Sequence, residues 1–243
     1  MKLLLTRPLN DSKQLKRKLK DLNFSTYLAP LIDVKFIEIK RKVYLTHYDL
    51  IIFTSRNSLK SISQKKISYK DVFTIGPGTY EKTMRLGFKN VIESNGGSSD
   101  IIRLFSKTFK NKKLNILHPT SNFASNTLEN FFKEQGSNYK KVISYKVGKK
   151  NVNPKKFKEF IKQENGIITI FSSKTAESFF ELIQKENYKE DCKNKTLVLL
   201  SNSIRPYLRD LIFKKIIIAD QPNELCLIKV LLNFKKKIKV FKE

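Results

Sequence analysis

Short apolar runs alternate with amphipathic stretches along almost the whole chain, and the alternation has a regular grammar. A run at Leu3-Leu4-Leu5 is followed by Thr6-Arg7-Pro8 and then by Leu15, Leu19 and Leu22, spaced to fall on one face of a helix capped by Asn10 or Ser12. A second strand is expected near Thr26-Tyr27-Leu28, ending at Ala29-Pro30. Residues 36 to 48 alternate weakly and carry several charges, the pattern of a connecting strand or linker. Strands then follow at Leu50-Ile51-Ile52, Val72 to Ile75 and Val91-Ile92. A helix stopped by Gly87 separates the last two, and Gly96-Gly97-Ser98-Ser99 opens a helix bearing Ile101, Ile102 and Phe105.

From Leu114 the grammar restarts. A strand over 114–117, a turn at His118-Pro119-Thr120, a helix bearing Leu128, Phe131 and Phe132, and a strand at Val142-Ile143 repeat the opening unit, with Pro119 standing where Pro8 stood. Ile167 to Ile170 then leads into a helix with Ala176, Phe179, Phe180 and Ile183 at helical spacing. A strand at Leu197 to Leu200 precedes a helix capped by Ser203 and bearing Tyr207, Leu208, Leu211 and Ile212. Ile216 to Ile218 leads to Pro222, expected at the first turn of a last helix through Leu225, Ile228 and Leu232. Strands and helices in strict alternation predict an α/β protein of parallel sheets covered on both faces.

Phe53-Thr54-Ser55-Arg56-Asn57 closes one strand, and Phe171-Ser172-Ser173-Lys174-Thr175 closes another in the second half. The fold is thus written twice. Each copy places hydroxyl and backbone N–H groups at a strand's carboxyl end, where open α/β sheets bind ligands. Such groups hold carboxylates or phosphates without a charged side chain. Any one of Ser55, Ser172, Ser173 and Ser203 could equally be a plain helix cap; their recurrence at equivalent places is what favours binding. Gly76-Pro77-Gly78-Thr79 matches neither a Walker loop nor a dinucleotide fingerprint.

Composition narrows the chemistry. With 243 residues of which 40% are hydrophobic, the chain can build a real core, and no apolar run approaches a membrane span or signal peptide, so a cytoplasmic protein is expected. Cys192, Cys226, His47 and His118 lack metal-ligand spacing, and neither metal nor thiol chemistry is expected. The net charge of +27 comes mostly from lysine. It fits either the bias of an AT-rich genome or attraction of an anionic partner, nucleic acid or a polycarboxylate. No helix-turn-helix, zinc-finger or ribonucleoprotein motif supports nucleic acid.

Leu5-Thr6-Arg7-Pro8, Pro30-Leu31, the D-x-x-x-F-T-S-x-N phrase from Asp49 to Asn57, Ile75-Gly76-Pro77-Gly78-Thr79 with Gly87, His118-Pro119, Ser144-Tyr145 and Phe171-Ser172-Ser173 together resemble the uroporphyrinogen-III synthase family. Each phrase is short, and their order and spacing from Leu3 to about Ile228 carry the likeness. The resemblance implies two similar α/β domains, each a parallel sheet flanked by helices, joined by two extended linkers. One would combine residues 1–34 with 148–243 and the other would span 36–145, with linkers near 35–40 and 145–150; a simple split near Asn111 is the alternative.

The resemblance also implies cofactor-free cyclisation of hydroxymethylbilane to uroporphyrinogen III, with loss of water and inversion of ring D through a spiro intermediate. It assigns Tyr145 as the group assisting water loss. Ser55, Asn57, Thr79, Ser172, Ser173 and Ser201 are assigned to carboxylate binding. Arg7 would bind a carboxylate or brace its turn. A monomer is expected, with transient hand-over of substrate from hydroxymethylbilane synthase and neither nucleic acid nor membrane as partner. Where many members carry a second Gly-Pro-x-Thr phrase, this chain reads Leu200-Ser201-Asn202-Ser203. That departure leaves a non-catalytic relative binding tetrapyrroles or another polyanion as the alternative.

Overall fold

The computed structural model describes residues 2–37, 45–61, 70–94, 96–110, 112–221 and 223–240. In chain order its elements are β1 (Lys2–Leu5), α1 (Leu9–Asp21), β2 (Ser25–Leu28), β3 (Ile32–Phe36), β4 (Leu50–Phe53), β5 (Asp71–Ile75), α2 (Pro77–Arg85), β6 (Asn90–Ser94), α3 (Ser98–Phe109), β7 (Asn115–Ser121), α4 (Thr127–Glu134), β8 (Asn138–Lys149), α5 (Pro154–Ile161), β9 (Gly166–Ile170), α6 (Ser173–Lys185), α7 (Lys189–Cys192), β10 (Lys195–Leu199), β11 (Lys215–Ile218) and α8 (Glu224–Val240). The chain divides into two compact units, Met1–Asp33 with Gly148–Glu243, and Val34–Val147. Most of the expected linker over residues 36 to 48, the possible split point Asn111 and the helix-starting Pro222 lie outside the described residues.

In the discontinuous unit the strands run β2-β1-β9-β10-β11, all parallel. Alternation along each strand feeds two cores. Leu4, Ile168, Leu197 and Leu199 meet Phe157, Phe160, Phe179 and Ile183 of α5 and α6 on one face. Leu3, Leu5, Ile167 and Val198 meet Leu15 and Leu19 of α1 with Leu227 and Leu231 of α8 on the other. In the continuous unit the order is β6-β5-β4-β7-β8-β3. Leu50, Ile52, Phe73 and Ile116 pack on Ile101 and Phe105 of α3 and Leu128 and Phe132 of α4. On its opposite face Ile51, Phe53, Val72 and Leu117 enclose Leu59 and Phe88.

With the edge strand β3 set aside, counting from β4 in one unit and from β9 in the other, where β1 and β2 count as fourth and fifth, both sheets read 5-4-1-2-3 in space. The repeated phrases Phe53-Thr54-Ser55 and Phe171-Ser172-Ser173 therefore close the same strand of the same topology. In each sheet the strand order reverses beside that strand, at β4/β7 and at β1/β9.

Several local expectations are corrected. The second sheet is mixed rather than wholly parallel: Lys150 N–H donates to Leu31 O at 2.9 Å and Ile37 N–H to Ser144 O at 3.0 Å, so β3 and β8 run antiparallel. Neither Asn10 nor Ser12 caps α1; Pro8 stands at the cap position, and the Ser12 hydroxyl donates back to Arg7 O at 2.9 Å. The turn expected at His118-Pro119-Thr120 is strand, because β4 pairs with β7 only as far as Leu117 and Pro119 is not asked for an N–H on that side. The helix expected from Ser203 to Ile212 is a 3₁₀ segment over Asn202–Leu208, with Ser201 rather than Ser203 at its cap position. Pro206 inside it removes a helical donor. In α8 the buried stripe is Leu227 and Leu231, while Leu225 is largely exposed.

Candidate active site

The two strand-order reversals are where the hydroxyl-rich turns gather. At β1/β9 the strands are tied by reciprocal bonds: Thr6 Oγ1 donates to Thr169 O at 2.6 Å, and Thr169 Oγ1 to Leu4 O at 2.9 Å. Both threonines are fully buried, so their hydroxyls must be satisfied internally. Beyond this tie, Ser172 caps α6, accepting from Thr175 N–H at 3.2 Å and sharing a 2.9 Å bond with Thr175 Oγ1. Ser173 opens the helix. The neighbouring strand, β10, ends at Leu199, and two residues on stands Ser201, whose hydroxyl pairs with that of Ser203 at 2.8 Å. Thus Ser172, Ser173 and Ser201 close neighbouring strands of one sheet.

Arg7 follows β1 at the same edge but its charge is already engaged. Its guanidinium donates to Glu224 at 2.5 Å, lies 3.5 Å from Asp11 and sits over the Phe171 ring at 4.5 Å. Glu224 also accepts from Lys18 at 2.7 Å. Burial works to raise the Glu224 carboxyl, but Lys18 and Arg7 outweigh it and hold it below the ordinary carboxylate range. These are the contacts of a brace joining β1, α1 and α8.

In the continuous unit, Ser55 Oγ accepts from Asn57 N–H at 3.2 Å, and Ser58 N–H donates to Ser55 O at 3.1 Å, so the Ser55-Asn57 turn holds its own shape. It leads into a 3₁₀ segment at Ser58–Ser61. On the adjacent strand, Gly76 adopts φ +74°, which a side chain rarely tolerates, and turns β5 directly into α2 with Pro77 and Thr79 in its first turn. The two turns touch. A Cβ on Gly78 would stand 3.3 Å from Arg56 Cδ, and Lys82 Nζ donates to Arg56 O at 3.1 Å. Ser55, Asn57 and Thr79 are therefore brought together at one sheet edge.

Sequence reasoning missed what stands on the other side of that turn. His118, 3% exposed, shares a 3.1 Å hydrogen bond with Thr54 Oγ1 through Nε2 and a 2.5 Å bond with Tyr139 OH through Nδ1. Burial, helped by Lys141, lowers His118 to about 4, so the ring is neutral near pH 7. Burial likewise pushes the Tyr139 phenol well above its ordinary value. The available signal was the His118-Pro119 phrase itself, legible only once β7, which carries it, was known to lie beside β4.

Tyr145 lies on β8, 6% exposed. The β7/β8 register slips between Thr120 and Ser121, leaving Ser144 as the extra residue, and Ser144 Oγ donates to Thr120 O at 3.2 Å. Such a bulge re-aims the side chain after it. Among the described residues no cluster of three or more His, Cys, Asp or Glu could hold a metal, and no helix is long and apolar enough to cross a membrane.

The family model for uroporphyrinogen-III synthase HemD matches residues 13–229. This chain belongs to the uroporphyrinogen-III synthase family. The reading as a cyclising enzyme of that family, made above from short phrases, stands. A search of curated proteins finds no match. Among solved structures, uroporphyrinogen-III synthetase from Helicobacter pylori aligns over 96% of this chain and 98% of its own, with 16% identity and a TM-score of 0.64. A mutant uroporphyrinogen III synthase from Thermus thermophilus aligns over 100% of both chains, with 12% identity and a TM-score of 0.60. At such identities the likeness is one of fold, and it extends over both units.

Proposed function

We propose that the chain converts hydroxymethylbilane to uroporphyrinogen III. The family match over residues 13–229 carries this reading. The hydroxyl-bearing turns at the carboxyl ends of β4, β5, β9 and β10 support it, because they suit a substrate rich in carboxylates. Ser55, Asn57 and Thr79 in one unit and Ser172, Ser173 and Ser201 in the other take substrate carboxylates, through hydroxyls, the Asn57 amide and the first-turn N–H groups of the helical segments at these turns. Arg7 holds the β1 turn in place through Glu224 and Phe171 rather than meeting the substrate.

Tyr145 assists loss of the hydroxyl as water from the first ring. The resulting azafulvene is attacked by the substituted carbon of the last pyrrole. Fragmentation and reclosure of the spiro intermediate then invert ring D. The activated pyrroles supply the reactivity, and the protein's part is to hold the chain so that this route outruns direct closure to the type I isomer. We further read the protein as a cytoplasmic monomer, a compartment its free Cys192 and Cys226 suit, taking its substrate by transient hand-over from hydroxymethylbilane synthase.

The test is to supply the purified protein with freshly generated hydroxymethylbilane, oxidise the products and separate the uroporphyrin isomers. Type III product that depends on the protein is the expected result. Type I alone, as in the protein-free control, would overturn the reading.

A further inference from the structure

A cavity of about 450 Å³ opens in the discontinuous unit, between the segment after β8 and helices α5 and α6. Its floor is the uncovered margin of a hydrophobic core, with Phe157 buried and Leu182 and Tyr188 partly so. Ser178 lines it from α6, only 7% exposed, and its Oγ has no hydrogen-bond partner among the described residues. A buried hydroxyl without a partner is costly and rare in native structures. Two glutamates share the lining with three lysines: Glu181 is paired with Lys149 at 2.6 Å, and Lys150, Lys185 and Glu186 form no ion pair among the described residues, so the lining keeps a positive balance.

We infer that this cavity is a binding site for a small amphipathic carboxylate, its aromatic or branched body on Phe157, Leu182 and Tyr188, its charge met by Lys150 and Lys185, and Ser178 completing a hydrogen bond. The lining is mixed, an apolar side from Leu31, Val152, Phe157, Leu182 and Tyr188 against a charged one, which suits an amphipathic ligand of a size common for small-molecule sites. A linear tetrapyrrole is far too large for it, and Ser178 lies more than a helical turn beyond the α6 cap, so the inference is independent of the substrate assignment.

The test is an NMR titration of isotope-labelled full-length protein with 2-naphthoate, alongside neutral 2-naphthylmethanol. Saturable shifts centred on the amides of Val152, Ser178 and Leu182 are expected, with the alcohol and the Lys150→Gln/Lys185→Gln variant each binding about fivefold more weakly. The same variant should still make type III product at the native rate. Shifts scattered over the lysine-rich surface, no saturation, or equal binding of the neutral alcohol would each overturn the proposal.

Discussion

At the scale of single residues, the candidate site separates groups that act by contact from groups that hold others. Tyr145 is proposed as one of the first kind. Replacing it with Phe keeps the ring and the packing but removes the proton, and should lower kcat about 10²-fold with type III product still formed and thermal unfolding unchanged. Unaltered turnover in steady-state assays would remove Tyr145 from that role. His118 belongs to the second kind, since its two ring nitrogens are taken up by Thr54 and Tyr139. Its burial has a measurable thermodynamic signature. The unfolded imidazole takes up its proton near 6.5 and the folded one near 4, so between those values the unfolded state binds more protons. Stability should therefore fall as pH drops from 6.5 to 4, by up to about 3 kcal/mol from this group. Urea titrations of His118→Gln across that window should show the slope reduced; an identical slope would mean the ring is not the group responsible. Ser55 and Ser172 were legible as residues because their phrases repeat, but His118 was not, since nothing in its neighbours along the chain announces Thr54 as a partner.

At the scale of elements, the turns that carry the site are set by short-range rules and latched by long-range ones. Ser172 is the hydroxyl cap of α6, and Ser172→Ala should cost about 1 kcal/mol in urea denaturation besides weakening substrate binding. A loss of affinity with no loss of stability would contradict its capping bonds. Glu224 fastens α8 to α1 and to the β1 turn through Lys18 and Arg7. Glu224→Gln keeps the shape and removes the charge, so amide exchange in the first turns of α8 should speed up, by the equivalent of about 1–2 kcal/mol of local stability. Unchanged exchange there would show the latch to be inert. Element type was readable wherever apolar spacing was strong, as in α6, where Ala176, Phe179 and Ile183 are fully buried. It was misread where one residue changed the outcome. Pro206 turned an expected helix into a 3₁₀ segment. The extension of β7 through Pro119 depends on where its neighbour β4 stops pairing, a fact absent from β7 itself.

At the scale of the whole molecule, a chain carrying +27 sets up a field that favours polyanionic ligands at long range. If substrate capture uses that field, raising ionic strength from about 0.05 to 0.5 M should raise KM several-fold and leave kcat nearly unchanged, because screening acts on approach more than on a bound complex. Salt-independent KM would assign the lysines to composition alone. The sequence by itself determined the alternation of strands and helices, the duplicated phrases at strand ends and the family, since periodicity, turn chemistry and motif order are all local properties of a chain. Only the tertiary structure decided that β4 and β9 occupy the same place in two like-ordered sheets. It alone paired β3 with β8, bonded Thr54 to His118, inserted the Ser144 bulge before Tyr145 and committed Arg7 to Glu224. Each of those depends on which distant strand or helix lies alongside, and that is settled by the burial of apolar faces across the fold rather than by any run of neighbouring residues.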